Sequence, residues 1–174
     1  MNSTQTIAEG RYLGLYERDG WEFTERPNAE GVVGILALTP GNELVLVEQF
    51  RRPVQAPVIE IPAGLVGDEE GHLGESLAGT ARRELLEETG YEAQSMELLL
   101  STPTSAGMTP EITHLFLARG LQKADVDAVA EAIARLSVFA AKNEAVLDSI
   151  DVNPLLVLPE GEGAVALDGL IATK

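Results

Sequence analysis

The chain has 174 residues, 45% of them apolar, with 28 acidic against 12 basic side chains and a formal net charge of −16. That is enough to bury one core, or one core plus an appendage, and the charge excludes nonspecific binding to nucleic acid or to an anionic membrane surface. The absence of cysteine excludes disulfides, a thiol nucleophile and a zinc–thiolate site, which is compatible with a cytoplasmic protein; the first ten residues lack the segments of a secretory leader, and no stretch reaches the roughly 18 apolar residues of a membrane span.

In chain order, residues 11–16 and 21–26 carry aromatic side chains on either side of Glu17-Arg18-Asp19-Gly20, and Asp-Gly between two such runs predicts a hairpin turn. Residues 31–39 (GVVGILALT) and 43–50 (ELVLVEQF) are apolar strand candidates around the turn Pro40-Gly41-Asn42. A helix is expected over Arg83-Glu84-Leu85-Leu86-Glu87-Glu88-Thr89, with Gly90 as the left-handed residue that ends it. Residues 96–101 and 112–118 read as strands joined by the loop 102–111. Residues 124–142 space Val126, Val129, Ile133, Leu136 and Ala140 at three and four, an amphipathic helix. Residues 150–158 and 164–171, around a turn at 159–163, read as a hairpin.

The chemistry concentrates on the first helix. Glu84, Glu87 and Glu88 stand at i, i+3 and i+4, so their carboxylates share one helical face and repel one another. Two readings account for that: a solvated acidic face, common in so acidic a chain, or a site for a hard divalent cation with oxygen ligands. Arg83, four residues before Glu87, is placed to hold that carboxylate.

The run R-E-L-L-E-E-T-G-Y (83–91), preceded at the right interval of seven residues by Glu75, resembles the second half of the Nudix box, the signature of hydrolases acting on a nucleoside diphosphate linked to another group. The front of the box departs from the pattern: the glycine in a family-like context is Gly64, separated from Glu75 by ten residues instead of five, which points to a five-residue insertion within 67–74. Such a lengthening of a surface loop costs little.

The resemblance implies a Nudix-type α/β/α sandwich with a mixed sheet over about residues 31–120, and a small N-terminal antiparallel sheet (1–30) that mediates homodimerisation in the similar ADP-ribose pyrophosphatase branch. Tyr12, Tyr16, Trp21 and Phe23 would supply aromatic surface for the second copy. It also implies Mg²⁺, with Mn²⁺ as a substitute, bound by Glu84, Glu87, Glu88 and the backbone carbonyl of Ala63, with Arg83 in the catalytic group. The implied reaction is hydrolysis of ADP-ribose to AMP and ribose 5-phosphate. Substrate contacts would fall on Arg51, after the E-Q-F run, on Glu60, and on Gly107 and Glu111 of a loop resembling S-P-G-x-T-x-E. For Arg51, Glu60 and Glu111 an ordinary surface, strand-end or loop charge is the competing reading. Ala106 stands where that loop often has proline, which loosens the assignment of the substrate.

From about residue 121 the Nudix resemblance stops. The tail, with Asp151-Val152-Asn153-Pro154-Leu155 and Leu167-Asp168, resembles the end of the ATP-grasp part of ADP-forming acyl-CoA synthetases, where Asp151, Asn153 and Asp168 would be metal ligands. The glycine-rich loop and lysine of a nucleotide-holding ATP-grasp are absent, so a structural tail is expected, and the meeting of two resemblances is the pattern of a recombined or engineered fusion. Helix 124–142 is expected to cover a sheet face left open by the replaced segment. Because that segment would supply a late catalytic glutamate, the alternative to an active enzyme is a Nudix-like scaffold with weak or absent turnover.

Overall fold

The computed structural model describes residues 4–67, 74–152 and 155–174, and the expected five-residue insertion falls largely outside them. The chain divides into two compact units, one of residues 1–89 and 93–121, the other of residues 90–92 and 122–174.

The first unit opens with three antiparallel strands in the order β1 (Gln5–Glu9), β2 (Gly14–Arg18), β3 (Trp21–Glu25). The Asp-Gly turn forms as expected: Arg18 faces Trp21 across it, with Asp19 and Gly20 both at positive φ (54° and 81°), the pairing that suits the twist of a two-residue hairpin. β1 has no clear signal in the sequence; it is exposed along its whole length and held only along one edge.

A mixed four-stranded sheet in the order β7-β4-β9-β8 carries the core. β4 (Gly31–Ala37) runs antiparallel to β7 (Ala63–Val66) and parallel to β9 (Ile112–Lys123), whose other neighbour is β8 (Tyr91–Pro103). Val33, Ile35 and Ala37, alternate residues on one face of β4, are fully buried with Phe116 and Ala118 of β9. Helix α1 (Leu77–Thr89) packs on β4 and β7 through Thr80, Ala81 and Leu85. Ser76 caps it by accepting the Gly79 N–H at 3.1 Å, and Gly90 follows at φ 71°. Burial of these aliphatic side chains contributes roughly 1.5–3 kcal/mol each.

Three boundaries differ from the sequence reading. The strand expected over 43–50 is shortened to β5 (Val47–Arg51), because Leu44 makes only an isolated bridge to Leu38; β5 pairs with β6 (Ala56–Glu60), which Pro57 had masked. β7 is hidden by its own Gly64. β8 and β9 extend beyond 96–101 and 112–118 at one or both ends.

In the second unit, α2 (Val126–Lys142) starts at Asp125, whose carboxylate accepts N–H groups from Ala128, Gly161 and Gly163. The expected hairpin is present as two ladders, β10 (Leu147–Asp151) with β13 (Leu170–Thr173) and β11 (Leu155–Val157) with β12 (Ala164–Ala166). No residue of α2 is buried, and Ile133 and Phe139 are each about half exposed. Within its own unit α2 packs on the short strands β11 and β12 and lines a shallow cavity with Leu147 and Ile150 of β10. No helix is long and apolar enough to cross a membrane among the described residues.

Candidate metal and phosphate site on helix α1

The pairing of β7 with β4, together with a hydrogen bond from the Ile35 N–H to the Pro62 carbonyl (2.8 Å), fixes Ala63 and Gly64 beneath α1. Glu84 lies across Gly64, where an added Cβ would stand 1.9 Å from the carboxyl carbon, so only glycine leaves room for this side chain. Glu88 reaches the same turn and accepts the Ala63 N–H at 3.0 Å. Two of the expected ligands therefore converge on the backbone that was to supply the carbonyl ligand.

Glu87 does not join them. Its side chain is 56% exposed and accepts from the Arg83 guanidinium at 3.1 Å. Arg83 also reaches Glu84 at 3.0 Å and Glu75 at 3.4 Å, so one guanidinium spans three carboxylates and offsets the repulsion that i, i+3, i+4 spacing creates. Burial alone would lower the pKa of Arg83, but Glu84, Glu87 and Glu75 outweigh it and hold the pKa above the ordinary arginine value. Glu84 is the perturbed acid. Burial pushes its pKa above the ordinary glutamate value, Glu87 and Glu88 add to the rise, and Arg83 only partly opposes it.

Among the described residues no group of three or more His, Asp or Glu side chains is gathered for a metal ion. What the structure does gather is a half-buried carboxylate, a second carboxylate, and backbone left open by glycine. That is a hard-oxygen donor set, which fits a divalent cation of the Mg²⁺ class.

The expected substrate residues lie in three further groupings. Arg51 and Glu60 pair with each other at 2.8 Å on β5 and β6. Glu111 pairs with Arg26, at the end of β3. Gly107 lines a cavity of about 410 Å³ with Ala106, Trp21, Glu22 and Phe23. The loop is also tied to β3 by the Met108 carbonyl, which accepts the Thr24 N–H at 2.8 Å. Arg26 is a residue that the sequence could not have revealed, since its partner is 85 positions away. In the tail, Asp168 accepts the N–H of its neighbour Gly169 at 2.8 Å, Asp151 lies exposed on β10, and Asn153 is outside the described residues.

The structure places a glutamate-bearing helix on a mixed sheet in an α/β fold, and comparison with known proteins supplies the family. The sequence model of the NUDIX domain matches residues 29–146, and the chain belongs to the Nudix family. That match includes the whole of α2. Curated relatives include a methanol dehydrogenase activator of Bacillus methanolicus, 41% identical over 130 residues (69% of this chain, 65% of the relative). An ADP-ribose pyrophosphatase of Bacillus subtilis is 36% identical over 127 residues (67% and 64%), and an ADP-sugar pyrophosphatase of Mus musculus is 36% identical over 132 residues (66% and 58%). The chain thus spans a little under two-thirds of the length of these relatives. A solved structure of an ADP compounds hydrolase shares the fold, with a TM-score of 0.57 at 19% identity, covering 70% of this chain and 66% of the other. Nudix hydrolases generally use divalent metal ions.

Proposed function

We propose that the chain hydrolyses the pyrophosphate of a nucleoside diphosphate derivative, with ADP-ribose, giving AMP and ribose 5-phosphate, as the favoured substrate. The observation that carries this reading is the seating of Glu84 and Glu88 on Ala63-Gly64, beside the half-buried Arg83. Pyrophosphatase relatives in Bacillus subtilis and mouse support it. Glu84, Glu87, Glu88 and the Ala63 carbonyl would hold Mg²⁺, or Mn²⁺ in its place. Bound there, the cation would neutralise phosphate charge and acidify a water.

The chain's own residues do the rest. Arg83 keeps Glu84 and Glu87 oriented and relieves their repulsion. Arg51 offers a guanidinium to phosphate once it exchanges its partner Glu60. Trp21, exposed beside the Gly107 cavity, suits stacking with a base. Hydrolysis adds water across one P–O–P linkage: the phosphorus–bridging-oxygen bond breaks, and each product leaves with a terminal phosphate.

The test is AMP release from ADP-ribose with and without Mg²⁺, in the intact chain and in Glu88→Gln. Metal-dependent release that the substitution abolishes is expected. Turnover should fall below the usual range of about 1–1000 per second, because the tail carries no recognised late glutamate. Failure to release AMP from any nucleoside diphosphate sugar at high protein concentration would overturn the assignment, and a full rate would send the search for a base to Glu160 and Glu162.

Homodimerisation through residues 1–30 belongs to the same proposal. Tyr16 and Phe23 pack on each other at 5.8 Å between centroids, whereas Tyr12 and Trp21 remain exposed for a second copy. A monomeric mass at micromolar concentration would remove it. The tail of different origin was expected from about residue 121, but the family match runs to residue 146, so the proposal of a separately derived, structural tail is confined to residues 147–174.

A further inference from the structure

We propose that Thr80 is a positioning residue for the α1 site: its hydroxyl, with the space left by Gly79, seats Glu75 so that Glu75 in turn holds Arg83 against the carboxylates of the helix. Thr80 is 1% exposed and is the single buried polar side chain among the described residues. Its Oγ1 stands 3.2 Å from Glu75 Oε2 and 3.3 Å from the Ser76 carbonyl, so its one proton has two acceptors. The same Glu75 oxygen accepts the Arg83 Nε–H at 3.4 Å, while the other end of that guanidinium reaches Glu84 and Glu87.

Local preference argues against this pair of residues. Gly79 and Thr80 are both weak helix formers placed side by side near the start of α1, where alanine would serve the helix better. Local rules broken together indicate another demand. At Gly79 an added Cβ would fall 2.9 Å from the Glu75 Cγ, so the glycine lets Glu75 fold back over the first turn. At position 80 an alanine or valine would fill the apolar contact but leave Glu75 with Arg83 alone. Glu75 precedes the helix and has no backbone register to fix its rotamer, so a buried donor selects the conformer that meets Arg83.

This inference rests on the proposed function for its importance, but its test does not depend on turnover. In the full chain, three variants are compared: Thr80→Val, which keeps the shape and removes the hydroxyl, Thr80→Ser, which keeps the hydroxyl, and Glu75→Gln. The direct readout is the ¹H–¹⁵N signal of the Arg83 Nε–H and its exchange with water. Thr80→Val is expected to accelerate that exchange at least severalfold, Thr80→Ser to restore it, and Thr80→Val to add nothing in the Glu75→Gln background.

The second readout is the Mg²⁺ concentration that half-saturates thermal stabilisation. It should rise about tenfold in Thr80→Val, the lower end of what groups orienting metal-binding side chains contribute, and return in Thr80→Ser. An Arg83 signal unmoved by Thr80→Val would overturn the inference, as would an effect equally large with Glu75→Gln. A drop in metal-free melting temperature without either change would assign Thr80 to helix packing alone. An intact chain that releases no AMP yet shows the Arg83 response refutes the function and leaves the positioning role standing.

Discussion

Helices α1 and α2 invert what their sequences suggest. α2 is longer and more regularly amphipathic, yet none of its residues is buried; α1 carries four charged side chains in thirteen residues beyond its Arg82 and still places Thr80, Ala81 and Leu85 in the core. The difference lies in what each helix meets. α1 lies on β4 and β7, part of a sheet whose central strand is fully apolar, whereas within its unit α2 packs on two three-residue strands and borders β10 across a shallow cavity. Periodicity specifies which face of a helix wants cover, and the neighbouring sheet determines how much cover is available.

The largest expected effect separates the two helices by stability. Leu85→Ala should cost about 2–5 kcal/mol, the range for a core leucine leaving a cavity, whereas Ile133→Ala on α2 should stay within roughly 0.5 kcal/mol, as for other exposed positions. Urea unfolding of the two variants compares them directly, and equal losses would mean that α2 is covered in solution.

Gly64→Ala sharpens the contrast inside the first unit. The new methyl would stand where the Glu84 carboxyl lies, and because that side chain can swing away the stability cost should sit at the low end of about 1–3 kcal/mol. Metal-induced stabilisation, measured by calorimetry with and without Mg²⁺, should be lost even so.

A smaller effect concerns pH. The pKa of Glu84 is raised mainly by burial, with Glu87 and Glu88 contributing. Without metal its contribution to stability is therefore full below the unfolded value of about 4.3 and is lost as pH rises through the folded pKa. With Mg²⁺ the dependence reverses, because the cation requires the carboxylate. Opposite slopes with and without metal, both flattened in Glu84→Gln, are expected in thermal melts between pH 4 and 7.

The smallest effect belongs to the second unit. Hydrogen bonds from Ala128 and Gly163, and less strongly from Gly161, hold the pKa of Asp125 below the ordinary aspartate value against the opposing effect of burial. Its contribution is thus present above about pH 3.9 and is lost as pH falls through the folded pKa. In Asp125→Asn the acid limb of the helical circular dichroism signal should flatten, and an unchanged limb would show that other carboxylates govern it.

Much of this architecture was legible because single residues decided it. Asp19-Gly20 announced the first hairpin, the unbroken apolar run of β4 announced a central strand, and the 83–91 motif with Gly90 announced α1. β6 and β7 were illegible because Pro57, Pro62 and Gly64 interrupt any period, although Pro62 and Gly64 shape the turn under Glu84. In the site, the sequence placed three glutamates on one helical face but could not separate Glu87 from Glu84 and Glu88, since spacing places side chains on a face without choosing their partners. Thr80 left a visible trace, a hydroxyl on an apolar face, with nothing to show that it turns toward Glu75. The link from Arg26 to Glu111 left none.

The parallel pairing at the centre of the sheet also has a consequence for biosynthesis. Val32 lies beside Thr113, so β4 emerges from the ribosome with both faces apolar and waits for a neighbour encoded 81 residues later. At roughly 5–20 residues per second that interval is about 4–16 s. During it β7 can shield one edge, while the other remains open to any passing strand. Rare codons between residues 66 and 112 would prolong that window, and a newborn chain held there would be a natural client for chaperones that bind extended apolar segments.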